Sequence, residues 1–162
     1  TRQGPYRLAD LAVSGTNTDR EAGPILALAP PNLPLPGDPT QHLTLTMMGG
    51  AMAGRHEGDN IWAFNNISDM HSEPFGSFKN GETVRITLTN GTSFPHGIHL
   101  HGHHFYEVDE KGILGNLRDT TLVNAGESRD IICVFDNPGR WLLHCHMLSH
   151  AFAGMRTWVD VA

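Results

Sequence analysis

The sequence has little cysteine, little charge and no long apolar run, and each shortage excludes a class of protein. Two cysteines among 162 residues can form one bridge at most, not the dense disulfide framework of a small secreted scaffold. Charged residues make up 17% of the chain, which excludes a coiled coil or a disordered acidic tail. No apolar run approaches about 18 residues, so we expect no membrane span.

Basic residues are also scarce. Eleven Lys and Arg stand against 17 acidic residues, for a net charge of −6. This balance argues against a nucleic-acid partner, which would require a basic patch. The first residue is Thr1, with no apolar signal segment after it. We therefore expect that a signal was removed or that the chain is a piece of a longer protein.

Proline is concentrated near the start, with seven of the ten prolines in the first 40 residues. Because proline fixes φ and removes a ladder donor, this stretch cannot be a central strand or a helix interior. We predict a Pro-rich linker or strap over residues 1–40. Leu26, Leu28, Leu33 and Leu35 indicate a strap that packs on a surface, and a free linker is the alternative.

From Gln41 onward, apolar and polar residues alternate in short runs. Such alternation is typical of half-buried strands, as in Leu43–Met47 and Val84–Leu88. Turn residues separate the runs, and no helical stripe with caps is present. We predict an antiparallel β-sandwich or barrel over residues 41–162. Its further strands are expected at Ile61–Phe64, Ile98–Val108, Asp130–Phe135, Arg140–His144 and Met155–Val161.

Histidine is abundant, and eight of the 11 histidines lie between positions 96 and 150. The more specific cluster contains His144-Cys145-His146. On a strand, the two histidines would project to one side and Cys145 to the other, so that the strand joins two metal sites. A Cys, two His and a weak axial Met form the ligand set of a blue-copper site. Cys145, His150 and Met155 supply three of those four ligands.

The other cluster supplies the fourth ligand. His99 and His101 share a face of their strand, while His96 precedes them and can turn toward Cys145. Zinc is an alternative because imidazole binds several metals, but zinc sites rarely use one Cys within His-Cys-His followed by a Met. The residues thus predict two sites, one of His96, Cys145, His150 and Met155 and one of His99, His101, His144 and His146.

Two motifs carry a family resemblance. His96–His103 resembles the pattern His-Pro-x-His-Leu-His-Gly-His, with Gly97 where proline is usual, and His144–Met155 resembles His-Cys-His-x3-His-x3-Gly-Met/Leu throughout. These segments are similar to the C-terminal copper-binding domain of multicopper oxidases, the family of laccases, bilirubin oxidases and bacterial copper-resistance oxidases. The resemblance covers about Gln41–Ala162. It implies an all-β cupredoxin-like fold, a Greek-key β-sandwich of about eight strands.

The resemblance also implies a role for each motif residue. His96, Cys145, His150 and Met155 would bind the type 1 copper, His99 the type 2 copper, and His101, His144 and His146 the type 3 pair. Electrons from a phenol, an aromatic amine or a metal ion would pass through Cys145, His144 and His146 to the trinuclear site, where O2 becomes water. Met155 implies a true axial ligand and a lower potential than that of high-potential laccases. The implied location is periplasmic or extracellular.

The family pattern is incomplete in one respect. A trinuclear site in this family takes four histidines from each of two domains, and this chain has one set. We favour a C-terminal domain of a longer oxidase, completed by another cupredoxin domain. One alternative is an oxidase whose site forms between identical subunits. Another is an electron carrier or copper-binding module without oxidase activity. Copper nitrite reductase is disfavoured because its pattern lacks the second His of His-Cys-His.

Four further features lie outside the predicted ligand sets. We expect His103 and His104 to hold a ligand ring or a neighbouring turn. We expect Cys133 to be a buried, inert thiol. The methionines of Met47–Gly54 could bind incoming Cu(I), but a flexible loop is the favoured interpretation.

Overall fold

The structure, a computed structural model, describes residues 9–12, 14–15, 23–24, 26–29, 32–50 and 60–162. The chain divides into two units, Thr1–Asn32 and Leu33–Ala162. In the described part of the first unit, no residue belongs to a helix or strand, and Leu26 and Leu28 are exposed. The Pro-rich linker or strap over residues 1–40 stays a prediction, and so does the domain boundary at residue 40.

The second unit is a two-layered β-sandwich, which confirms the all-β fold class. One sheet has the strand order β2-β1-β4-β9-β6-β7 and the other β3-β11-β10-β5-β8. Within the described residues, the elements are β1 Gln41–Gly49, β2 Trp62–Phe64, β3 Gly76–Phe78, β4 Glu82–Asn90, β5 His96–Leu100, β6 Phe105–Val108, β7 Leu114–Arg118, β8 Thr120–Val123, β9 Ser128–Phe135, β10 Gly139–Cys145, α1 Leu148–Phe152 and β11 Arg156–Val161.

The alternation read from the sequence explains which faces are buried. In β4, Val84, Ile86 and Leu88 are buried, while Arg85 and Thr87 between them are partly exposed. The core between the sheets collects such inward side chains from both layers. Its largest fully buried members include Phe64, Phe105, Phe135, Ile86, Ile98, Ile131 and Leu143. None of the helices in the described part of the chain is long and apolar enough to cross a membrane.

Two details of the predicted fold are wrong. The sandwich is not purely antiparallel, because β1 pairs in parallel with β4 and β3 with β11. The long connection between β1 and β4 provides the crossover that a parallel pair requires. The predicted strand Ile98–Val108 is divided between the sheets, because Gly102 has a φ of +71° and turns the chain between β5 and β6.

β10 brings the two histidine-rich segments together. It lies between β5 and β11 in the five-stranded sheet and runs antiparallel to β5. In this register His144 is opposite His99 and Cys145 is opposite Ile98. The two motifs are therefore neighbours across one strand pair, which the two predicted metal sites require.

Candidate metal centre

His96, Cys145 and His150 form a compact group of candidate ligands. The Nδ1 atoms of His96 and His150 are 3.1 Å apart, and the Cys145 Sγ atom lies 3.8 and 3.9 Å from them. His96 begins β5, Cys145 ends β10 and His150 lies in α1. We call this set the inner group. Its three atoms are close enough for one ion to bind all of them at once.

The donor set of the inner group fits copper. Two imidazoles and one thiolate form the trigonal arrangement of a blue-copper site, whereas structural zinc usually takes four nitrogen and sulfur ligands in a tetrahedron. Met155 is fully buried beside the group. The Cys145 N–H donates to the Met155 carbonyl at 3.1 Å, and the Met155 N–H donates to the His150 carbonyl at 3.0 Å. These two backbone hydrogen bonds hold Met155, the predicted axial ligand, next to Cys145 and His150.

Burial sets the charge of the inner group. It lowers the pKa of His96 from 6.5 to about 4, and the neighbouring His150 contributes to this shift. Burial also lowers the pKa of His150, so both rings are neutral at pH 7, the form that binds metal. Burial raises the pKa of Cys145, while the N–H groups of Met147 and Gly97 oppose that shift. An incoming metal ion must therefore displace the thiol proton.

Trp62 forms one wall of the inner group. Its ring lies 4.5 Å from that of His150 and 4.9 Å from that of His96, centroid to centroid, and the residue is 4% exposed. The Trp62 N–H donates to the Ala153 carbonyl at 3.1 Å, which ties β2 to the segment between His150 and Met155. No sequence motif identifies Trp62 as part of the group, because β2 reaches the group only through tertiary packing.

A second set lies on the opposite face of β10. His99, His101 and His144 have candidate ligand atoms within 4.8 Å of one another, and we call them the outer group. The Nε2 atoms of His101 and His144 are 3.0 Å apart. His144 Nδ1 lies 2.9 Å from the Cys145 carbonyl, so that nitrogen donates and Nε2 is left for a metal. Three imidazoles thus meet on one face of the sheet.

His146, the fourth predicted ligand of this site, lies beside the outer group rather than within it. Its ring centroid is 5.2 Å from that of His99 and 5.9 Å from that of His144, and its side chain is exposed. Burial lowers the pKa of His101, with contributions from His99 and His146, and burial also lowers that of His144. These two rings are consequently neutral at pH 7.

The structure also locates the residues that were set apart from the ligands. His103 is buried, and its Nδ1 atom lies 3.2 Å from the His101 carbonyl, which agrees with a role in the neighbouring turn. Cys133 is buried and free, and burial raises the pKa of its thiol, as expected of an inert residue. Met47 is a core residue, which excludes it as an exposed ligand. Met52 lies outside the described residues.

Comparisons with known proteins agree with this geometry. The multicopper oxidase family model matches residues 36–162. Multicopper oxidase MmcO from Mycobacterium tuberculosis is 34% identical over 123 residues, covering 76% of this chain and 23% of its own length. Copper resistance protein A from Escherichia coli is 40% identical over 94 residues, covering 58% of this chain and 15% of its own. The crystal structure of Lac15 from a marine microbial metagenome is 49% identical with a TM-score of 0.68, and the match covers 99% of this chain and 37% of that one.

The chain therefore spans less than a quarter of the length of MmcO and little more than a third of Lac15. The matched region nevertheless contains all residues of the inner and outer groups, together with His146 and Met155. Members of the matched family bind copper, the metal that the inner group fits. On these grounds, the chain belongs to the multicopper oxidase family.

Proposed function

We propose that this chain is the domain of a multicopper oxidase that accepts single electrons at a type 1 copper and contributes half of a trinuclear site that reduces O2 to water. The observation that carries this proposal is the position of Cys145 between two histidines of β10. Its side chain belongs to the inner group and that of His144 to the outer group. A few covalent bonds along one strand therefore connect the two sites.

In this proposal His96, Cys145, His150 and Met155 hold the type 1 copper. Bound copper supplies one-electron redox chemistry here and, at the trinuclear site, the binding and reduction of O2. The protein contributes a dry enclosure, since His96, Cys145 and Met155 have no exposed surface and Trp62 covers one side. His150 is partly exposed, so a reductant can approach the inner group on its side. We propose a phenol, an aromatic amine or a metal ion as that reductant.

His99 is the proposed ligand of the type 2 copper, and His101, His144 and His146 of the type 3 pair. The exposed side chains of His101 and His146 support completion of the site from outside the chain. The partner would be another cupredoxin domain or an identical subunit, offering its own histidines across the outer face of the five-stranded sheet. A periplasmic or extracellular location is part of the same proposal.

The second candidate function is electron transfer or copper binding without oxidase activity. The inner group favours it, because the chain itself contains a full candidate ligand set at that site. In the outer group, only three histidines of the described part of the chain approach one another closely. In this case the chain would bind a single copper, and no partner would be needed.

One experiment separates the two functions. Copper per chain is measured on fully loaded protein of known oligomeric state, together with the visible spectrum and O2 uptake with a phenol, an aromatic amine and Cu(I). More than one copper per chain in an assembly that consumes O2 supports the oxidase. About one copper per chain with a blue band and no O2 uptake supports the electron carrier. Binding of Cu(II) without a blue band in the oxidised protein contradicts both.

A further inference from the structure

A threonine lies behind His96, a fully buried residue of the inner group. The Oγ1 atom of Thr92 is 2.8 Å from Nε2 of His96, on the side of the ring away from Cys145. Both residues are buried. One nitrogen of His96 thus faces the candidate metal site, and the other faces a single hydroxyl group.

The direction of the hydrogen bond between Thr92 and His96 follows from the other neighbours of that hydroxyl. Oγ1 lies 2.8 Å from Asn90 Oδ1 and 3.1 Å from the Phe94 carbonyl, and both of these atoms are acceptors. Two oxygens 2.8 Å apart need a proton between them, and Asn90 Oδ1 has none, so the hydroxyl proton points to Asn90. The Phe94 N–H donates to the same hydroxyl oxygen at 3.2 Å and occupies one of its two lone pairs. What remains toward His96 is a lone pair, so the ring must donate from Nε2.

Asn90 fixes this arrangement in turn. Its Nδ2 atom lies 2.7 Å from the Phe94 carbonyl and 3.1 Å from the carbonyls of Val123 and Asn124, so the amide nitrogen points to that side. Oδ1 then faces Thr92 and also accepts its backbone N–H at 2.9 Å. Asn90 is only 1% exposed, so bulk solvent does not compete for these hydrogen bonds. The Asn90 side-chain amide therefore has one orientation in which both its nitrogen and its oxygen are hydrogen-bonded.

We propose that Thr92, held by Asn90, is a positioning residue that keeps His96 in the tautomer protonated on Nε2. Its Nδ1 lone pair is then directed at Cys145 and His150. In the opposite tautomer, the Nδ1–H of His96 would occupy the position of the metal. The Nε2 lone pair would then face a lone pair of Thr92 Oγ1. This inference rests on the proposed function in one respect, namely that the inner group binds copper.

The energetic consequence is preorganisation. A partner that fixes the tautomer and plane of a ligand ring typically contributes about tenfold to a hundredfold in metal affinity. Thr92 does so without charge, so it leaves the net charge of the site unchanged. We therefore expect its hydroxyl, rather than its methyl group, to determine the affinity.

The test compares Thr92→Val, which preserves shape but removes the hydroxyl, with Thr92→Ser, which retains it. Thr157→Val is the matched control, because Thr157 is fully buried and its hydroxyl has no partner among the described residues. Copper affinity is measured by competition with a chelator. We expect a loss of about tenfold to a hundredfold for Thr92→Val, restoration by Thr92→Ser and no loss for Thr157→Val. Wild-type affinity in Thr92→Val would overturn the proposal.

A second measurement needs no copper. Nitrogen-15 NMR of the metal-free wild type reports which ring nitrogen of His96 is protonated, with the signal assigned by its loss in His96→Gln. Protonation on Nε2 supports the inference, and protonation on Nδ1 overturns it even if Thr92→Val does not fold. A wild type that binds no copper would instead contradict the proposed function, and the NMR result would still decide the tautomer.

Discussion

The Nδ1 atoms of His96 and His150 face each other at 3.1 Å, although 54 positions separate the two residues in the chain. Two neutral rings at this distance need either one shared proton or one shared metal ion between them. If His96 presents a lone pair, His150 supplies the proton in the metal-free protein. Copper binding then replaces that hydrogen bond rather than filling a gap between unrelated side chains.

The metal-free protein should lose stability as the pH falls from 6.5 toward 4. The unfolded chain protonates His96 near pH 6.5, whereas the folded chain does so only near its pKa of about 4. Between these values the unfolded state binds more protons, so the free energy of unfolding falls with falling pH. The lowered pKa values of His101, His144 and His150 act in the same direction. Urea unfolding at pH 7.5, 6 and 5 measures this slope.

Two variants identify the source of that slope. His96→Leu removes one of the titrating groups and should make the dependence shallower. Glu82→Gln should not change it, because hydrogen bonds from Thr40, Lys79 and Gln41 lower the pKa of Glu82 to about 2, and its contribution is lost only below pH 4.5. Equal unfolding midpoints at pH 7.5 and 5 would contradict the prediction.

Cys145→Ser should abolish the blue colour of the copper-loaded protein. A serine hydroxyl cannot supply the thiolate on which the intense absorption depends, and its small size leaves the fold intact. Visible absorption and circular dichroism measure the two properties. Cys133→Ala is the control, since Cys133 lies in the core away from both groups and should retain the band. A blue Cys145→Ser protein would exclude Cys145 as the ligand.

His103→Ala should cost stability but leave the blue band. The ring is buried against Phe135 and Trp141, with centroids 5.0 and 5.7 Å away, and its Nδ1 faces the His101 carbonyl rather than the inner group. Removing it from the core should lower the free energy of unfolding by about 2–4 kcal/mol. Chemical denaturation and absorption are measured on the same sample. Loss of the band in a folded variant would overturn this separation of roles.

Gly102→Ala should destabilise the protein more than Gly126→Ala. Both glycines have a positive φ, +71° and +72°, so an added side chain costs about 1–2 kcal/mol at either site. At Gly126 the new Cβ meets no atom within 4 Å, whereas at Gly102 it would overlap the indole ring of Trp141. The overlap adds about 1–3 kcal/mol. If chemical denaturation gave the same loss in the free energy of unfolding for both variants, the Trp141 ring would have to move aside without cost.

Trp62 should account for most of the quenching of tryptophan fluorescence by Cu(II). Its ring touches those of His96 and His150, whereas Trp158 lies on β11 with its Nε1–H donated to the His71 carbonyl. Paramagnetic quenching falls steeply with distance, so Trp62→Phe should lose the copper-dependent change and Trp158→Phe should keep it. Quenching by the first equivalent of Cu(II) that persists in Trp62→Phe would place that ion outside the inner group.

The sequence could predict the parts of the site that depend on local periodicity. Alternation along a strand placed Cys145 opposite to its flanking histidines, and the pairing of His144 with His99 confirms that the motifs are neighbours. The parallel pairing of β1 with β4 could not be predicted, because nothing local to either strand specifies a distant partner. The same holds for Trp62, whose contacts with His96 and His150 arise only when separate elements pack. Thr92 lies only four positions before His96, but strand periodicity does not single out a turn hydroxyl as a partner of that ring.

Side chains alternate between the two faces of β10, so one strand register positions the ligands of both the inner and the outer group. Insertion of one residue between Gly139 and His144 would shift every later side chain of the strand to the other face, sending Cys145 outward and His144 inward. Insertion of two residues would restore both faces. Within a regular strand, a change of length by a single residue therefore turns the ligands of both metal sites to the wrong faces at once.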